Sequence, residues 1–139
     1  MGVAGVEVIQ CTVLGQPVPK ARPRFSSRSG RAYTPKKTKD YEKKVGKVVR
    51  PMVKDKIAGA VHVSLNIIFS RPKYMQTKKY QDGLILHTKR PDLDNVIKAV
   101  LDALNSVLDD DAQVSKITAT KYYAEKQGNP RTEITISKL

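Results

Sequence analysis

Residues 61–69, VHVSLNIIF, alternate between apolar and polar side chains over most of their length. A period of two is typical of a strand that buries one face and leaves the other in water. Such a strand is stable only within a sheet whose apolar face is covered by other elements. The stretch therefore predicts a sheet that is packed on one side, with residues 61–69 as one of its strands.

Two other parts of the chain show helical periodicity. Apolar residues spaced three and four apart predict a first helix over residues 38–54, which Thr38 would cap and Pro51 would end. The same spacing predicts a second helix over residues 93–107, with one apolar and one polar face. Its apolar stripe consists of Leu93, Ile97, Val100, Leu104 and Val107.

Further strands are predicted at residues 6–14, 114–124 and 132–137. Residues 84–86 are predicted to form either a short strand or an irregular apolar segment that packs against the core. The turn between the last two strands predicts that they pair as an antiparallel hairpin. The order β-α-β-α-β-β is typical of an α+β protein. We therefore expect a single domain with a mixed β-sheet and two main helices packed on it.

The charge of the chain favours a polyanionic partner. It carries 26 Lys and Arg against 13 Asp and Glu, a net charge of +13. Much of this charge lies in two segments predicted to be basic arms, residues 15–39 and 71–90. In the first, Phe25 and Tyr33 lie among the bases, as in segments that bind phosphates and stack on a base. A merely solvated basic loop is the alternative. The candidate DNA-binding residues are Lys20, Arg22, Arg24, Arg71, Lys73, Lys78, Lys79, Lys89 and Arg90.

The acidic residues are distributed very differently. Six of the nine aspartates lie between Asp92 and Asp111, where Lys98 is the single base. Five of the six form one group at Asp92 and Asp94 and another at Asp109–Asp111, and the sixth, Asp102, lies in the second predicted helix, which separates the two groups. A turn and a returning strand are expected to bring the second group back beside the first. Asp94 would then act as an N-cap, a metal ligand or both.

Carboxylates gathered without a charge partner repel one another, and a divalent cation removes that conflict. Ligation by oxygen alone selects Mg²⁺ or Mn²⁺. On a basic surface this predicts phosphodiester hydrolysis, with Lys98 neutralising charge on the phosphate. The residues alone also leave open a non-catalytic nucleic-acid binder. In that case Lys98 would be an ion-pair partner of Asp94 or Asp102, and Asp109–Asp111 a solvated turn or a partner-binding site.

Several other classes of site are excluded by the sequence. An EF-hand starting at Asp92 would place Val96 and Ile97 where an oxygen ligand and a glycine are needed. One cysteine and two histidines cannot form a zinc cluster, and no Walker A motif is present. No run of eighteen apolar residues exists, so a membrane span is not expected. The lone Cys11 is typical of a small buried residue in a cytosolic protein.

The ordered motifs D-L-D-N-x-x-K, L-D-A-L-N and D-D-A-Q-V, within residues 92–114, strongly resemble the RusA family of Holliday-junction resolvases, which is common in bacterial prophages. The segment GQPVPKARPRF, residues 15–25, is similar to the opening of that family, where a first strand leads into a loop containing Pro and Arg. The resemblance spans nearly the whole chain. Residues 1–139 are therefore expected to form one RusA-like domain.

The resemblance implies a Mg²⁺-dependent endonuclease that acts as a homodimer on four-way DNA junctions, in recombination and repair in the bacterial cytoplasm. Asp92, Asp94 and the Asp110–Asp111 pair match the family's catalytic acids, and Lys98 matches its catalytic lysine. Within the pair, Asp111 is the expected primary metal ligand and Asp110 the second. A two-fold dimer would present two equivalent sites to a junction. Action on other branched DNA is the alternative within this class.

Overall fold

The computed structural model describes residues 8–22 and 24–139. The first two residues of the strand predicted at 6–14 lie outside these ranges. The strands are β1 (Val8–Leu14), β2 (Arg24–Ser26), β3 (Arg31–Tyr33), β4 (Val61–Phe69), β5 (Ile85–Leu86), β6 (Val114–Tyr123) and β7 (Arg131–Lys138). The helices are α1 (Lys36–Val49) and α2 (Leu93–Leu104), and short 3₁₀ turns occupy Arg50–Met52, Lys73–Gln76 and Asp111–Gln113.

Five strands form one mixed sheet in the order β1-β7-β4-β6-β5. The pair β4–β6 is parallel, and the other neighbours are antiparallel. These features confirm the predicted α+β class with a mixed sheet and two main helices. The predicted hairpin between β6 and β7 is wrong, because β4 lies between these two strands. The most apolar strand takes the centre of the sheet, where both of its edges are paired, and this separates strands that are neighbours in sequence.

Both helices cover the same face of the sheet. α1 packs beside β1 and α2 beside β6, and the two helices contact each other. The core between helices and sheet contains Val45 and Val49 of α1 and Val96, Val100 and Leu104 of α2. The opposite face of the sheet is polar: His62 on β4 hydrogen-bonds the Thr118 hydroxyl on β6 at 2.9 Å. No described helix is both long and apolar enough to cross a membrane.

The first basic arm is more ordered than the sequence indicates. Residues 15–39 were expected to be irregular, but they contain the β2–β3 hairpin and the first turn of α1. Thr38 is not the N-cap, because α1 begins two residues earlier. Its buried hydroxyl instead donates to the carbonyl of Pro19 at 3.2 Å and accepts the N–H of Ala21 at 3.3 Å. This side chain therefore fastens the start of the arm to α1.

Candidate functional site

The first acidic group lies at the N-terminal end of α2. Asp92 takes the N-cap position, with φ −67° and ψ 141°, and its side chain makes no capping hydrogen bond. The predicted N-cap at Asp94 is therefore wrong, since this residue lies in the first turn. The Asp94 carboxylate is 71 % exposed, and the Lys98 ammonium lies 3.9 Å from it and is 63 % exposed. The pair is loose, so both carboxylates and the lysine are available to an external ligand.

The loop that leads into Asp92 is held by a lysine of the sheet. Lys121 on β6 donates to the carbonyl of Lys89 and, at 2.6 Å, to the carbonyl of Pro91. A groove of about 580 Å³ lies along this loop, and Asp92 and Lys121 are among its lining residues. Lys121 was not among the residues predicted from the sequence. The feature that could have indicated it is a lysine at an inward-facing position of a strand, where an apolar residue is usual.

An aromatic stack holds His87, which is another lining residue of the same groove. The His87 ring stacks on Tyr123 with centroids 4.1 Å apart and contacts Phe69 at 4.9 Å. Burial, followed by the positive charge of Lys121, lowers the pKa of His87. Its imidazole is therefore neutral at pH 7 and adds no positive charge to the groove.

The second acidic group lies in the turn between α2 and β6. Asp110 caps the 3₁₀ turn by accepting the Ala112 N–H at 2.8 Å, and Gln113 accepts the Asp110 N–H at 2.7 Å. The Gln113 amide also donates to the carbonyls of Ile57, at 2.8 Å, and Gly59, at 2.9 Å. Gln113 thus fixes the acidic turn to the segment before β4. The sequence analysis missed this residue, although an acid followed three residues later by Gln is typical of a capping box.

The two carboxylates of this turn influence each other. The Ala112 N–H lowers the pKa of Asp110, whereas the neighbouring Asp110 carboxylate raises the pKa of Asp111. Both side chains are exposed. Like charges at this spacing oppose full ionisation, and a bound cation would relieve that opposition.

The structure separates the two acidic groups instead of bringing them together. The twelve residues of α2 span about 18 Å, with Asp94 in the first turn and Asp109 beyond the last. β6 then runs back, so its first residue, Val114, lies near the second group, whereas Lys121 contacts the loop before Asp92. Seven residues of strand separate these ends by about 23 Å. Across the described ranges, no three carboxylate, His or Cys side chains converge closely enough to hold a metal.

The expected gathering of both groups beside each other in one chain is therefore wrong. The physical reason is direction: a returning strand brings its far end, and not its start, to the beginning of the preceding helix. Each group still has the donor chemistry of half a site for Mg²⁺, because it offers exposed carboxylate oxygens and no sulfur or nitrogen. The residues present thus fit a hard divalent cation as two half-sites.

Two of the predicted DNA-binding residues have other roles in the structure. Lys20 lies 2.8 Å from both Glu42 and Asp102 and joins the arm to the two helices. Burial opposes its charge, but the bonds to Asp102 and Glu42 raise the pKa of Lys20, and its charge is already neutralised by the protein. Arg71 is only 6 % exposed, and its guanidinium donates to four backbone carbonyls. Neither residue is available to phosphate, which corrects both assignments.

The remaining predicted bases are on the surface. The Arg24 side chain lies outside the described part of the chain. The others are exposed and free to face a phosphate backbone: Arg22, Lys73, Lys78, Lys79, Lys89 and Arg90. The β2–β3 hairpin also exposes Phe25 and Tyr33, the two aromatic residues noted in the first arm.

Replacing Gln113 with Ala should lower the free energy of unfolding by about 1–3 kcal/mol, because two carbonyls and one N–H lose their partner. Urea unfolding followed by circular dichroism measures this change. Ser115→Ala is the matched control, since its hydroxyl makes one exposed hydrogen bond at 3.3 Å. Equal stability of the two variants would show that Gln113 does not hold the acidic turn.

Comparison with known proteins places these features in a family. The family model described as endodeoxyribonuclease RusA matches residues 15–137, which include both acidic groups and α2. The chain belongs to the RusA endodeoxyribonuclease family. It is also 34 % identical over 145 residues to the uncharacterized protein YqaN of Bacillus subtilis strain 168, and the match covers 96 % of this chain and 99 % of that relative.

Membership of the RusA family makes this chain an endodeoxyribonuclease, an enzyme whose substrate is DNA. The match begins at Gly15, where the first basic arm starts, and ends within β7. The family domain therefore includes the whole five-stranded sheet apart from β1 and the last residue of β7.

Proposed function

We propose that this RusA-family chain is a Mg²⁺-dependent endonuclease that resolves four-way DNA junctions by paired incisions, as a homodimer. The observation that carries the proposal is the placement of two exposed, all-carboxylate groups at opposite ends of α2 in a protein of net charge +13. The charge favours nucleic acid, and the carboxylates favour a hard divalent cation.

A second copy of the chain supplies what one chain lacks. Within the described residues neither acidic group gathers three metal-ligating side chains at one point, and a second copy would add carboxylates of the other group to each site. When two copies are related by a two-fold axis, the beginning of α2 in one can lie beside the acidic turn of the other. The same operation creates a second, equivalent site. Two equivalent sites match the two symmetric cuts that resolve a junction.

In this arrangement Asp92 and Asp94 from one copy, with Asp110 and Asp111 from the other, would hold Mg²⁺, or Mn²⁺ in its place. The cation would supply an activated water and neutralise charge on the scissile phosphate. Lys98 extends from the same helix as Asp94 and is exposed enough to contact the phosphate, where its ammonium stabilises negative charge. The exposed bases beside the site, Lys89 and Arg90, would orient the DNA backbone. We expect this activity in the cytoplasm of a bacterial cell.

Incubation with a four-way junction, a Y-fork and a linear duplex tests the proposal. With Mg²⁺ or Mn²⁺, the junction should be cut and the linear duplex should remain uncut under the same conditions. EDTA should abolish cutting and leave junction binding measurable by gel shift. Binding without cutting in either metal would favour the non-catalytic alternative. Equal cutting of the fork and the junction would favour a broader branched-DNA nuclease.

A further inference from the structure

One long edge of the sheet is open. β6 pairs with β4 from Val114 to Tyr123, with one register shift that leaves Ser115 unpaired, but on its other side β5 pairs only with Tyr122 and Tyr123. The Lys121 carbonyl accepts the His87 N–H at 3.0 Å, so the backbone groups of Lys121 face the β5 side. Because these groups alternate along the regular part of the strand, those of Ile117 and Ala119 face the same side. Within residues 8–22 and 24–139, no strand pairs with them there.

The protective features of this edge lie at its two ends. The register shift at Ser115 precedes the open part, and the inward-pointing Lys121 follows it. Between them β6 contains no proline and no acidic residue, and the side chain of Lys116 belongs to the polar face, in register with His62. Ile117, within this open part, is 41 % exposed although it lies on the helix side of the sheet. An open stretch of edge with an exposed apolar residue is a template for another strand.

The flank of α2 adds apolar surface beside this edge. Leu93, Ile97 and Leu101 are four residues apart, pack against the core and remain partly exposed. The other flank of α2 faces α1, because Asp102 binds Lys20 together with Glu42. The partly exposed row therefore lies on the flank away from α1, on the side of β6. Strand edge and helix flank form one surface, which we name the β6 edge surface.

We propose that the β6 edge surface binds the β6 edge surface of a second copy, with the two strands antiparallel and the two-fold axis at Ile117. The proposal rests on the proposed function, since it specifies where the dimer forms. Ile117 would pair with its own copy and exchange about two backbone hydrogen bonds across the axis, and the apolar flanks of the two α2 helices would pack beside this pair. An axis at Lys116 would oppose two lysines and present backbone groups that already bond β4, so Ile117 is the favoured centre.

Charge complementarity is the reason to choose a second copy over another strand. The acidic turn Asp109–Asp111 precedes β6, and the basic loop with Lys89 and Arg90 lies at its far end, held by Lys121. Antiparallel pairing places the acidic turn of each copy beside the basic loop of the other. The far end also carries Asp92 and Asp94, but its bases, Lys89, Arg90, Lys98 and Lys121, outnumber them. The two ends therefore have opposite net charge and attract each other twice in the dimer, which also favours this register.

A cysteine cross-link tests the register directly. Residues opposite each other in an antiparallel pair have Cα atoms about 4.5–5.5 Å apart, within the range of a disulfide, whereas diagonal neighbours are about 7–8 Å apart. Oxidised Ile117→Cys should therefore run as a covalent dimer on a non-reducing gel, and Thr118→Cys should not. The unmodified chain, which retains Cys11, gives the background. Equal cross-linking at positions 117 and 118 would overturn the proposed register.

A charge substitution tests the interface without relying on a disulfide. Ile117→Lys would oppose two ammonium groups across the axis and should weaken dimerisation at least about 10-fold, measured by sedimentation or light scattering. Thr118→Lys, on the polar face, should leave it unchanged. A wild-type protein that cuts junctions as a monomer would overturn this inference and leave the nuclease activity standing. A dimer that cross-links at position 117 but cuts no DNA would support the interface and refute the proposed function.

Discussion

A mixture of Asp94→Asn and Asp111→Asn chains should cut DNA junctions although each variant alone is inactive. Each homodimer would lack one carboxylate in both sites. In the mixed dimer, both substitutions fall in one site, and the other site receives Asp94 and Asp111 intact. About half of the dimers would be mixed and would carry one active site, so about a quarter of all sites should be active. The product should be a nicked junction, because only one strand can be cut.

Co-expression of the two chains with different tags isolates the mixed dimer for a cleavage assay in Mg²⁺. The matched control combines Asp92→Asn with Asp94→Asn. These residues lie in the same acidic group, so every site in that mixed dimer lacks one ligand, and no activity should return. An inactive mixed dimer of Asp94→Asn and Asp111→Asn, shown by its tags to contain both chains, would mean that the two acidic groups do not act across the dimer.

Replacing Arg71 with Ala should lower the free energy of unfolding by about 3–5 kcal/mol, because each buried carbonyl left without its donor costs about 1–3 kcal/mol. The Arg71 guanidinium is the shared partner of four backbone carbonyls that would lose it together. They belong to Ala124 at 2.9 Å, Met75 and Gln81 at 3.0 Å, and Gly83 at 2.6 Å. The segment from Arg71 to Leu86 would then lose its main attachment to the end of β6.

Urea unfolding measures this effect, and Lys73→Ala is the matched control from the same basic segment. Lys73 is exposed, so its replacement should change stability by less than about 0.5 kcal/mol. The DNA affinity should fall more for Lys73→Ala than for Arg71→Ala, since only Lys73 is free to contact a phosphate. If the Arg71→Ala variant were as stable as the control but bound DNA more weakly, Arg71 would be a DNA-binding residue after all.

The periodicity of the sequence predicted the elements well, because it reports which face of each segment is buried. The alternation in β4 and the stripe in α2 are local consequences of burial. β4 formed over the predicted residues, whereas α2 began at Leu93 as predicted but ended at Leu104, before Val107 of the predicted stripe. The helix-side residues of β4, such as Val63 and Leu65, are buried as that pattern requires. The class of fold followed from the order of these elements.

What the sequence could not supply was the choice among distant partners. β6 and β7 are consecutive, but β4 separates them, and this depends on which strand buries most surface at the centre of the sheet. Arg71 and Lys73 are equivalent in a basic segment, and only the folded chain shows that one is buried and the other exposed. The position of the acidic turn Asp109–Asp111 relative to Asp92 likewise depended on the direction of β6, which spacing alone does not reveal.

The two acidic groups are both anchored to β6, one at each end. Lys121 holds the loop before Asp92, and Gln113, immediately before the strand, holds the turn that contains Asp110. The length of β6 thus sets the distance between the two acidic groups, at about 3.3 Å per residue. A single inserted or deleted residue within β6 would change that distance and also reverse the face of every later side chain. Among related sequences, insertions and deletions should therefore occur in the turn at residues 124–130, while β6 keeps a constant number of residues.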